Sequence, residues 1–444
     1  MKFAWRKCEI KSGWFRLLTG PAGFFFLVAL FGASAPRSFA QQLTPVWIQL
    51  GENGVVIAKV IVPAEAKCPA IEIGNKKLDM AQRLPIPRGF PPLCEAVIPR
   101  NVHSASVNGQ ALALPKPDPS VVTVFGDTGC RINATQVQDC NDPAQWPFKQ
   151  VAASAAAEKP SLMIHVGDYL YRELPCPAGA EKFCGDTPSG DNWATWNADF
   201  FAPAAKLLVA TPWAFARGNH ESCARSWRGW FYYLDPRPWD GKCQPFSPPY
   251  TIKMGSFQLA MLDSSEVLED SLDQNQISHY SAQLASLRVK NAWLVAHHPF
   301  WGFKAGPLGK PSIAVSVPLE EAWNSAAPKG VSLVLSGHIH LFELITLDRS
   351  RPPQIVAGGG GTNLGAPIAN ASLHGAQMRG SSVVGSETEH LFGYTLLNRE
   401  GKTWHLTLKN QLEDVIFSCS FGKPIATASP SHQSRSGVRE CGGS

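Results

Sequence analysis

The chain beyond residue 40 begins with short stretches in which apolar and polar residues alternate. Residues 43–114 contain pieces of β-strand character, broken by Gly, Pro and Asn: VWIQL, GVVIAKVIV, AIEI, EAVIP and SASVNGQALAL. A period of two places successive side chains on opposite faces of a strand, and no stretch here shows the longer period of a helix. We therefore predict a small β-sandwich domain over residues 41–115.

The pattern changes after a stiff proline-rich linker, PKPDPS, at residues 115–120. Beyond it, apolar strands alternate with helical stretches such as DQNQISHYSAQLASLR and PLEEAWNSAA, which indicates an α/β domain over residues 120–422. Near its end, YTLLNREGKTWHLTL predicts a hairpin around a polar, glycine-containing turn. Residues 423–444 are rich in Ser, Gly and Pro and are predicted to form a flexible tail, unless Cys441 is disulfide-bonded.

The N-terminus has the three parts of an export signal. MKFAWRKCEIKSGWFR is basic, GFFFLVALFGASA is apolar, and SFAQQ offers a small-residue cleavage site after Ala40. This order predicts a secretory signal peptide over residues 1–40 and a periplasmic or secreted protein. An uncleaved membrane anchor is the alternative, but the apolar run is well short of the ~20 residues that a spanning helix needs.

The net charge of the predicted mature chain limits the partners that it can bind. Residues 1–40 carry six Lys and Arg and one acidic residue, so their removal leaves 34 basic and 34 acidic residues. A neutral mature chain gives no basic field for nucleic acid or an anionic membrane surface.

Ten cysteines follow the signal peptide, and an even number in an exported chain suggests disulfides. Pairing of sequence neighbours is the natural arrangement, although the sequence alone does not fix it. A zinc or iron–sulfur site is the alternative, but the chain has no C-x-x-C pair. The neighbouring pairs are Cys68 with Cys94, Cys130 with Cys140, Cys176 with Cys184, Cys223 with Cys243, and Cys419 with Cys441.

Five predicted strands of the α/β domain end in residues that can bind a metal. They are VVTVFGDTG, SLMIHVGDYLY, PWAFARGNHE, AWLVAHHP and VSLVLSGHIH. A single G-D turn or a single histidine is more often structural, but together these strand ends supply the oxygen and nitrogen ligands that bind iron, manganese or zinc. The residues concerned are Asp127, Asp168, Tyr171, Asn219, His220, His297, His298, His338 and His340.

The order of these motifs, GD…GD…GNHE…H…GHxH, resembles that of the calcineurin-like metallophosphoesterases over roughly residues 120–345. One branch opens with Asp-x-His, but this chain has Gly129 where that histidine would stand. Purple acid phosphatases instead open with GDxG and carry a tyrosine three residues after the second aspartate. GDTG, GDYLY, GNHE, AHH and GHIH match that pattern. The resemblance implies a four-layer α/β/β/α sandwich preceded by a fibronectin III-like β-sandwich.

By this resemblance, the first of two metal ions would be bound by Asp127, Tyr171, His340 and one oxygen of a bridging Asp168. The Tyr171 phenolate would favour Fe(III) at that site. The alternative is that Tyr171 only packs in the core.

The second metal, a divalent Fe, Zn or Mn ion, would take the other oxygen of Asp168 with Asn219, His297 and His338. His297 is preferred to His298 because it aligns with the single histidine that the family has at this position. Leu294 replaces the valine of the family's V-x-x-H, a small departure.

The resemblance implies hydrolysis of a phosphate ester, in which two metals activate water and stabilise the leaving oxygen. His220 is expected to face the pocket and to steady the transition state or protonate the leaving group, with Glu221 orienting it. His298 is expected either to bind the phosphate or to support His297. We predict an acid phosphatase-type enzyme that cleaves small phosphate monoesters by attack of a metal-bound hydroxide.

Two other functions stay open: a phosphodiesterase or nucleotide-cleaving enzyme on the same scaffold, and a secreted binding or adhesion module with a vestigial metal site. A serine hydrolase is unsupported, since Ser222 and Ser336 lack a G-x-S-x-G context. AGGGGTNLG at residues 357–365 lacks the Lys-Ser/Thr ending of a P-loop and is predicted to be a tight turn near the site. The segments expected to select the substrate, roughly residues 174–195 and 301–316, contain no motif.

Overall fold

The computed structural model describes residues 45–306, 311–313, 316–348, 351–368, 373–378, 380–421 and 440–441. The predicted signal peptide and most of the predicted tail lie outside these residues. The longest helix in the described part of the chain has 13 residues, and none there is long and apolar enough to cross a membrane.

The strands of the first half of the described chain are β1 Val46–Leu50, β2 Val56–Ile61, β3 Ala70–Ile73, β4 Lys76–Asp79, β5 Ala81–Gln82, β6 Leu93–Ile98, β7 Ala105–Val107, β8 Gln110–Ala111, β9 Val121–Phe125, β10 Leu162–His165 and β11 Pro212–Phe215. Those of the second half are β12 Tyr250–Met254, β13 Phe257–Met261, β14 Ala292–Val295, β15 Phe303–Ala305, β16 Pro311–Ile313, β17 Val331–Ser336, β18 Phe342–Leu347, β19 Gln354–Ala357, β20 Gln377–Met378, β21 Ser381–Glu389, β22 Gly393–Glu400, β23 Thr403–Asn410 and β24 Val415–Phe421.

The helices are α1 Phe148–Ala157, α2 Glu181–Cys184, α3 Trp193–Trp196, α4 Ala205–Ala210, α5 Trp227–Gly229, α6 Gln274–Ser286 and α7 Val317–Ala326. Short helical turns also occur at Glu52–Gly54, Asn197–Phe201, Asn219–Glu221 and Trp230–Leu234. Both helices predicted from the sequence are present, as α6 and α7. The predicted hairpin is the antiparallel pair β22 and β23, in which Glu400 faces Thr403 across the turn.

Two large sheets form the centre of the fold. The first has ten strands in the order β24-β23-β22-β9-β10-β11-β1-β2-β6-β5, and the second has eight in the order β12-β13-β14-β17-β19-β18-β21-β20. The strands β9, β10 and β11 run parallel, as do β13, β14, β17 and β19. Parallel strands place their carboxyl ends at one edge of a sheet, where ligands usually bind.

Alternation along the central strands builds three apolar layers. Ile164 of β10 and Leu259 of β13 belong to one core, which unites side chains from both sheets. The neighbouring Met163 lies in a second core with helices α1 and α4. Ala260 lies in a third core with helices α6 and α7. Helices therefore cover the outer faces of two packed sheets, which confirms the expected α/β/β/α sandwich.

The region before residue 115 is rich in strands, as predicted. Strands β3, β4, β7 and β8 form a separate four-stranded sheet. Strands β1, β2, β5 and β6 instead extend the ten-stranded sheet, because β1 pairs in parallel with β11. The domain boundary at residues 115–120 stays a prediction, since this sheet takes strands from both sides of it.

The cysteines pair between sequence neighbours. The disulfides are Cys68–Cys94, Cys130–Cys140, Cys176–Cys184, Cys223–Cys243 and Cys419–Cys441, which confirms the predicted connectivity. The last of them holds residue 441 against strand β24, next to Ser420.

Candidate metal centre

The predicted ligands lie at the carboxyl ends of the central parallel strands. Asp127 follows β9, Asp168 follows β10, and Asn219 follows β11 in the first sheet. His297 follows β14 and His338 follows β17 in the second sheet. Because the two sheets pack face to face, both sets of strand ends converge at one edge of the molecule.

The hydroxyl group of Tyr171 lies at the centre of one half of this cluster. It is 3.0 Å from Asp127 Oδ1, 2.9 Å from Asp168 Oδ2 and 3.1 Å from His340 Nε2. The tyrosine side chain is fully buried. Four residues expected to bind the first metal therefore meet around one phenolic oxygen.

The other half of the cluster forms around the side chain of Asn219. The Asn219 amide is 3.0 Å from His297 Nε2 and 3.2 Å from His338 Nδ1. Asp168 Oδ2 is 3.2 Å from His297 Nε2, so this carboxylate touches both halves. The structure thus brings all seven predicted ligands together, with Asp168 between the two groups.

Each histidine of the cluster has a second partner that fixes its free ring nitrogen. The opposite nitrogen, Nδ1, lies 2.9 Å from the Val166 carbonyl in His297 and 2.9 Å from the Asn363 carbonyl in His340. In His338 it is Nε2 that faces a carboxylate, 3.1 Å from Glu269 Oε1. Histidines that bind metals usually hold their other nitrogen in this way, which directs a lone pair into the site.

Comparison with protein families decides the assignment. The model of the calcineurin-like phosphoesterases matches residues 120–342, half of the chain and the whole of the cluster. The chain belongs to the calcineurin-like phosphoesterases. This phosphoesterase is therefore a hydrolase, and its family implies a dinuclear metal centre.

Solved structures agree at the level of the fold. A purple acid phosphatase, PPD1 from yellow lupin (Lupinus luteus), superposes with a TM-score of 0.57 at 14% identity, covering 85% of this chain and 74% of the lupin chain. PhoD superposes with a TM-score of 0.52 at 12% identity, covering 90% of this chain and 94% of PhoD. No curated protein matches the sequence of this phosphoesterase.

The ionisable groups of the phosphoesterase centre fit a bound cation. Burial, together with the nearby Asp168 carboxylate, raises the pKa of Asp127 to about 7. Burial and the two carboxylates also raise the pKa of the Tyr171 phenol well above its usual value. Ionisation of such a buried cluster is unfavourable without positive charge, and a metal ion supplies that charge.

The amide of Asn219 supports the same fit. In one orientation of the amide, its oxygen faces acceptor atoms of His297, His338 and Asp168 and receives no hydrogen bond from them. That orientation is favourable only if a cation lies between these atoms. In the reverse orientation its nitrogen donates to these same three groups. A metal ion bound between these groups would therefore be coordinated by the oxygen of the Asn219 amide.

His220 lies beside the cluster, but its orienting partner differs from the prediction. Its Nδ1 is 3.0 Å from Glu173 Oε1, and its ring lies 3.8 Å from that of Tyr171. The expected partner Glu221 instead accepts backbone N–H groups of Asp168 and Tyr169. The expectation that Glu221 orients His220 is therefore wrong; Glu173, two residues beyond Tyr171, has that position.

His298 is buried beside the ligand His338, and its Nε2 is 3.7 Å from Glu269 Oε1. Its Nδ1 is 3.3 Å from Ser264 Oγ, and its ring lies 4.3 Å from that of His338. The side chain is 1% exposed, and burial followed by the charge of His338 lowers its pKa to about 4. Phosphate binding by His298 stays a prediction.

The glycine-rich segment 357–365 bends at residues 360–362 and packs against the first ligand. Thr362 donates its backbone N–H to the Asp127 carbonyl at 2.9 Å, and Gly360 donates to the Gly126 carbonyl at 3.0 Å. A side chain at Gly360 would overlap that carbonyl. The segment therefore lies near the site, as predicted, but its backbone hydrogen bonds join it to other segments, so the tight turn itself stays a prediction.

Proposed function

We propose that this phosphoesterase hydrolyses phosphate monoesters at a centre of two metal ions. Supporting this proposal above all is the Asp168 carboxylate, which lies 2.9 Å from the Tyr171 hydroxyl and 3.2 Å from His297 Nε2. One group in contact with both halves of the cluster is suited to bridging two cations. The proposed ligands are Asp127, Asp168, Tyr171 and His340 for the first ion, and Asp168, Asn219, His297 and His338 for the second.

The phenol of Tyr171 favours Fe(III) in the first position and a divalent Fe, Zn or Mn ion in the second. When bound, such a pair lowers the pKa of water and stabilises negative charge on phosphoryl and leaving oxygens. The buried side chains of Asp127, Asp168, Tyr171 and His297 would hold the inner side of both ions, whereas Asn219, His338 and His340 lie at the partly exposed edge.

His220 is the proposed proton donor to the leaving group. Glu173 and the Leu170 carbonyl hold its Nδ1 at 3.0 and 3.1 Å, so the ring keeps one orientation. Its Nε2 lies 3.1 Å from Arg225 Nη2 and 3.8 Å from Asp168 Oδ2, at the edge of the cluster. A ring held in one orientation beside the cluster is suited to exchange a proton with a substrate bound there.

Export to the periplasm or medium is part of the proposal. The five disulfides support it, because such bonds persist in oxidising compartments. The signal peptide that would direct export is proposed from the sequence of residues 1–40.

The test compares wild type with Tyr171→Phe by metal analysis, visible absorption, and hydrolysis of p-nitrophenyl phosphate and bis(p-nitrophenyl) phosphate. We expect a coloured wild-type protein that prefers the monoester, and loss of the colour in Tyr171→Phe because the phenolate ligand is gone. Tyr233→Phe is a matched control: this tyrosine is also buried, its hydroxyl has no hydrogen-bond partner among the described residues, and its removal should leave the colour intact.

Two results would contradict the proposal. A colourless, fully active wild type that contains two divalent ions and prefers the diester would identify a phosphodiesterase. An Asn219→Ala variant with unchanged function would show that the metal centre is not the working part.

A further inference from the structure

Arg131 lies at the open side of the metal centre. Its Nη2 is 3.3 Å from His340 Nε2, and its guanidinium carbon is 4.7 Å from the centre of the Tyr171 ring. Tyr171 is fully buried, whereas Arg131 and His340 are both partly exposed. The Arg131 side chain therefore lies at a partly exposed edge of the first metal position.

The positive charge of Arg131 is not balanced by its hydrogen bonds. Its other side-chain partners in the described part of the chain are neutral: Thr362 Oγ1 and Gln136 Oε1, each at 3.4 Å. Arg225, at the same centre, instead pairs with Glu173 at 2.5 Å. Of the two guanidinium groups, Arg131 is the one whose described contacts are all with uncharged groups.

Metal binding would remove one of these contacts. His340 Nδ1 lies 2.9 Å from the Asn363 carbonyl and so carries the ring proton, which leaves a single lone pair on Nε2. That lone pair cannot both accept from Arg131 and bind a cation. In the loaded protein, the Nη2 group of Arg131 therefore needs a different acceptor.

We propose that this acceptor is a terminal oxygen of the substrate's phosphoryl group, and that Arg131 thereby selects dianionic monoesters over monoanionic diesters. The inference rests on the proposed function and adds the charge of the substrate to it. A guanidinium group presents paired N–H donors that match phosphate oxygens. A monoester offers three terminal oxygens and a second negative charge, whereas a diester offers two oxygens and one charge.

The experiment compares metal-loaded wild type with Arg131→Gln, which removes the charge, and Arg131→Lys, which keeps it without the paired donors. Three quantities are measured: the affinity for inorganic phosphate by calorimetry, kcat/KM for the monoester and diester, and the metal content. Arg288→Gln is the control, because Arg288 lies before β14, at the edge opposite the metal centre, and is exposed.

We expect Arg131→Gln to weaken phosphate binding about tenfold or more, as for a lost hydrogen bond to a charged group. The kcat/KM for the monoester should fall by a similar factor, and that for the diester much less, with metal content unchanged. Arg131→Lys should be intermediate.

Equal losses for both esters, or loss of metal from Arg131→Gln, would overturn this inference and assign Arg131 to the support of Tyr171 and His340. If wild type cleaves neither ester, the proposed function fails, but the phosphate titration still tests Arg131. Unchanged phosphate affinity in Arg131→Gln would then overturn the inference independently.

Discussion

Two buried carboxylates hold the loop that carries Asp168 and Tyr171. Glu221 accepts the backbone N–H groups of residues 168–170, and Asp199 accepts those of Tyr171 and Arg172. Five consecutive N–H groups are thus satisfied by two side chains, which fixes the loop without a strand or helix. The position of the Tyr171 hydroxyl therefore depends on residues that bind no metal.

Asp199 should be essential for stability. It is buried and pairs with the buried Arg172 at 2.6 Å, so Asp199→Asn leaves an uncompensated charge inside the protein. We expect a loss of about 3–5 kcal/mol in the free energy of unfolding. Urea unfolding measures it, with Glu400→Gln as control, since that side chain is 88% exposed and its loss should change little. Equal midpoints for wild type and Asp199→Asn would contradict this role.

At the scale of elements, three of the five ligand-bearing strands are followed by a ligand whose backbone is left-handed. Asp127, Asp168 and His338 all have positive φ, of 57°, 60° and 71°. This region is costly for residues other than glycine, and such conformations concentrate at functional sites. Glycine at position 218 permits the close approach of two strand ends, because a side chain there would overlap Asp168 Oδ1. The glycines of the G-D and G-N pairs are thus needed because a larger side chain would not fit there.

Helix α6 depends on a local cap that can be tested by itself. Asp273 accepts the backbone N–H of Gln276 at 2.8 Å, which satisfies one of the free donors of the first turn. Asp273→Ala should cost about 1 kcal/mol of unfolding free energy. Asp273→Ser should retain most of the stability because a hydroxyl can also accept this bond. Urea midpoints compare the two, and an equal loss in both variants would argue against capping.

At the scale of the whole molecule, the N-terminal strands are joined to the rest by more than sheet pairing. Gln49 of β1 donates to the Leu234 carbonyl, and Lys59 of β2 donates to the Tyr233 carbonyl at 2.8 Å. Arg83, after β5, donates to the Phe231 carbonyl at 3.0 Å. These carbonyls belong to one helical turn, so three polar side chains connect the two regions at a single place.

The buried amine of Lys59 predicts a pH dependence of stability. Burial, followed by the charge of Arg83, lowers its pKa from 10.5 to about 7. Between these values the unfolded chain holds a proton that the folded protein has released, so stability rises with pH. Below about pH 7 the destabilisation is fully present.

Compared with Lys59→Met, wild type should gain on the order of 2 kcal/mol between pH 7 and pH 9, since each pKa unit corresponds to about 1.4 kcal/mol. Urea unfolding of both proteins at several pH values measures this difference. Parallel pH profiles for the two proteins would contradict the prediction.

The sequence by itself determined the features that depend on nearby residues. Alternation predicted the strands, and a short polar turn predicted the β22–β23 hairpin. Pairing of neighbouring cysteines was the natural arrangement, but the folded chain was needed to fix it. The ligands at the strand ends were also predictable, because parallel strands bring their carboxyl ends together whatever the loops between them. The local sequence does not show whether Tyr171 is a metal ligand or a core side chain. Its place in the motif of the family is what indicated a ligand.

Only the tertiary structure decided the contacts between distant segments. No local pattern marks Asp199 as the acceptor for Tyr171, Glu173 as the partner of His220, or Arg131 as a neighbour of His340. The attachment of β1 to β11 was equally hidden, because a strand's own sequence does not specify which edge it joins. Such contacts arise from the packing of whole elements, and their energies exist only once the chain has folded around them.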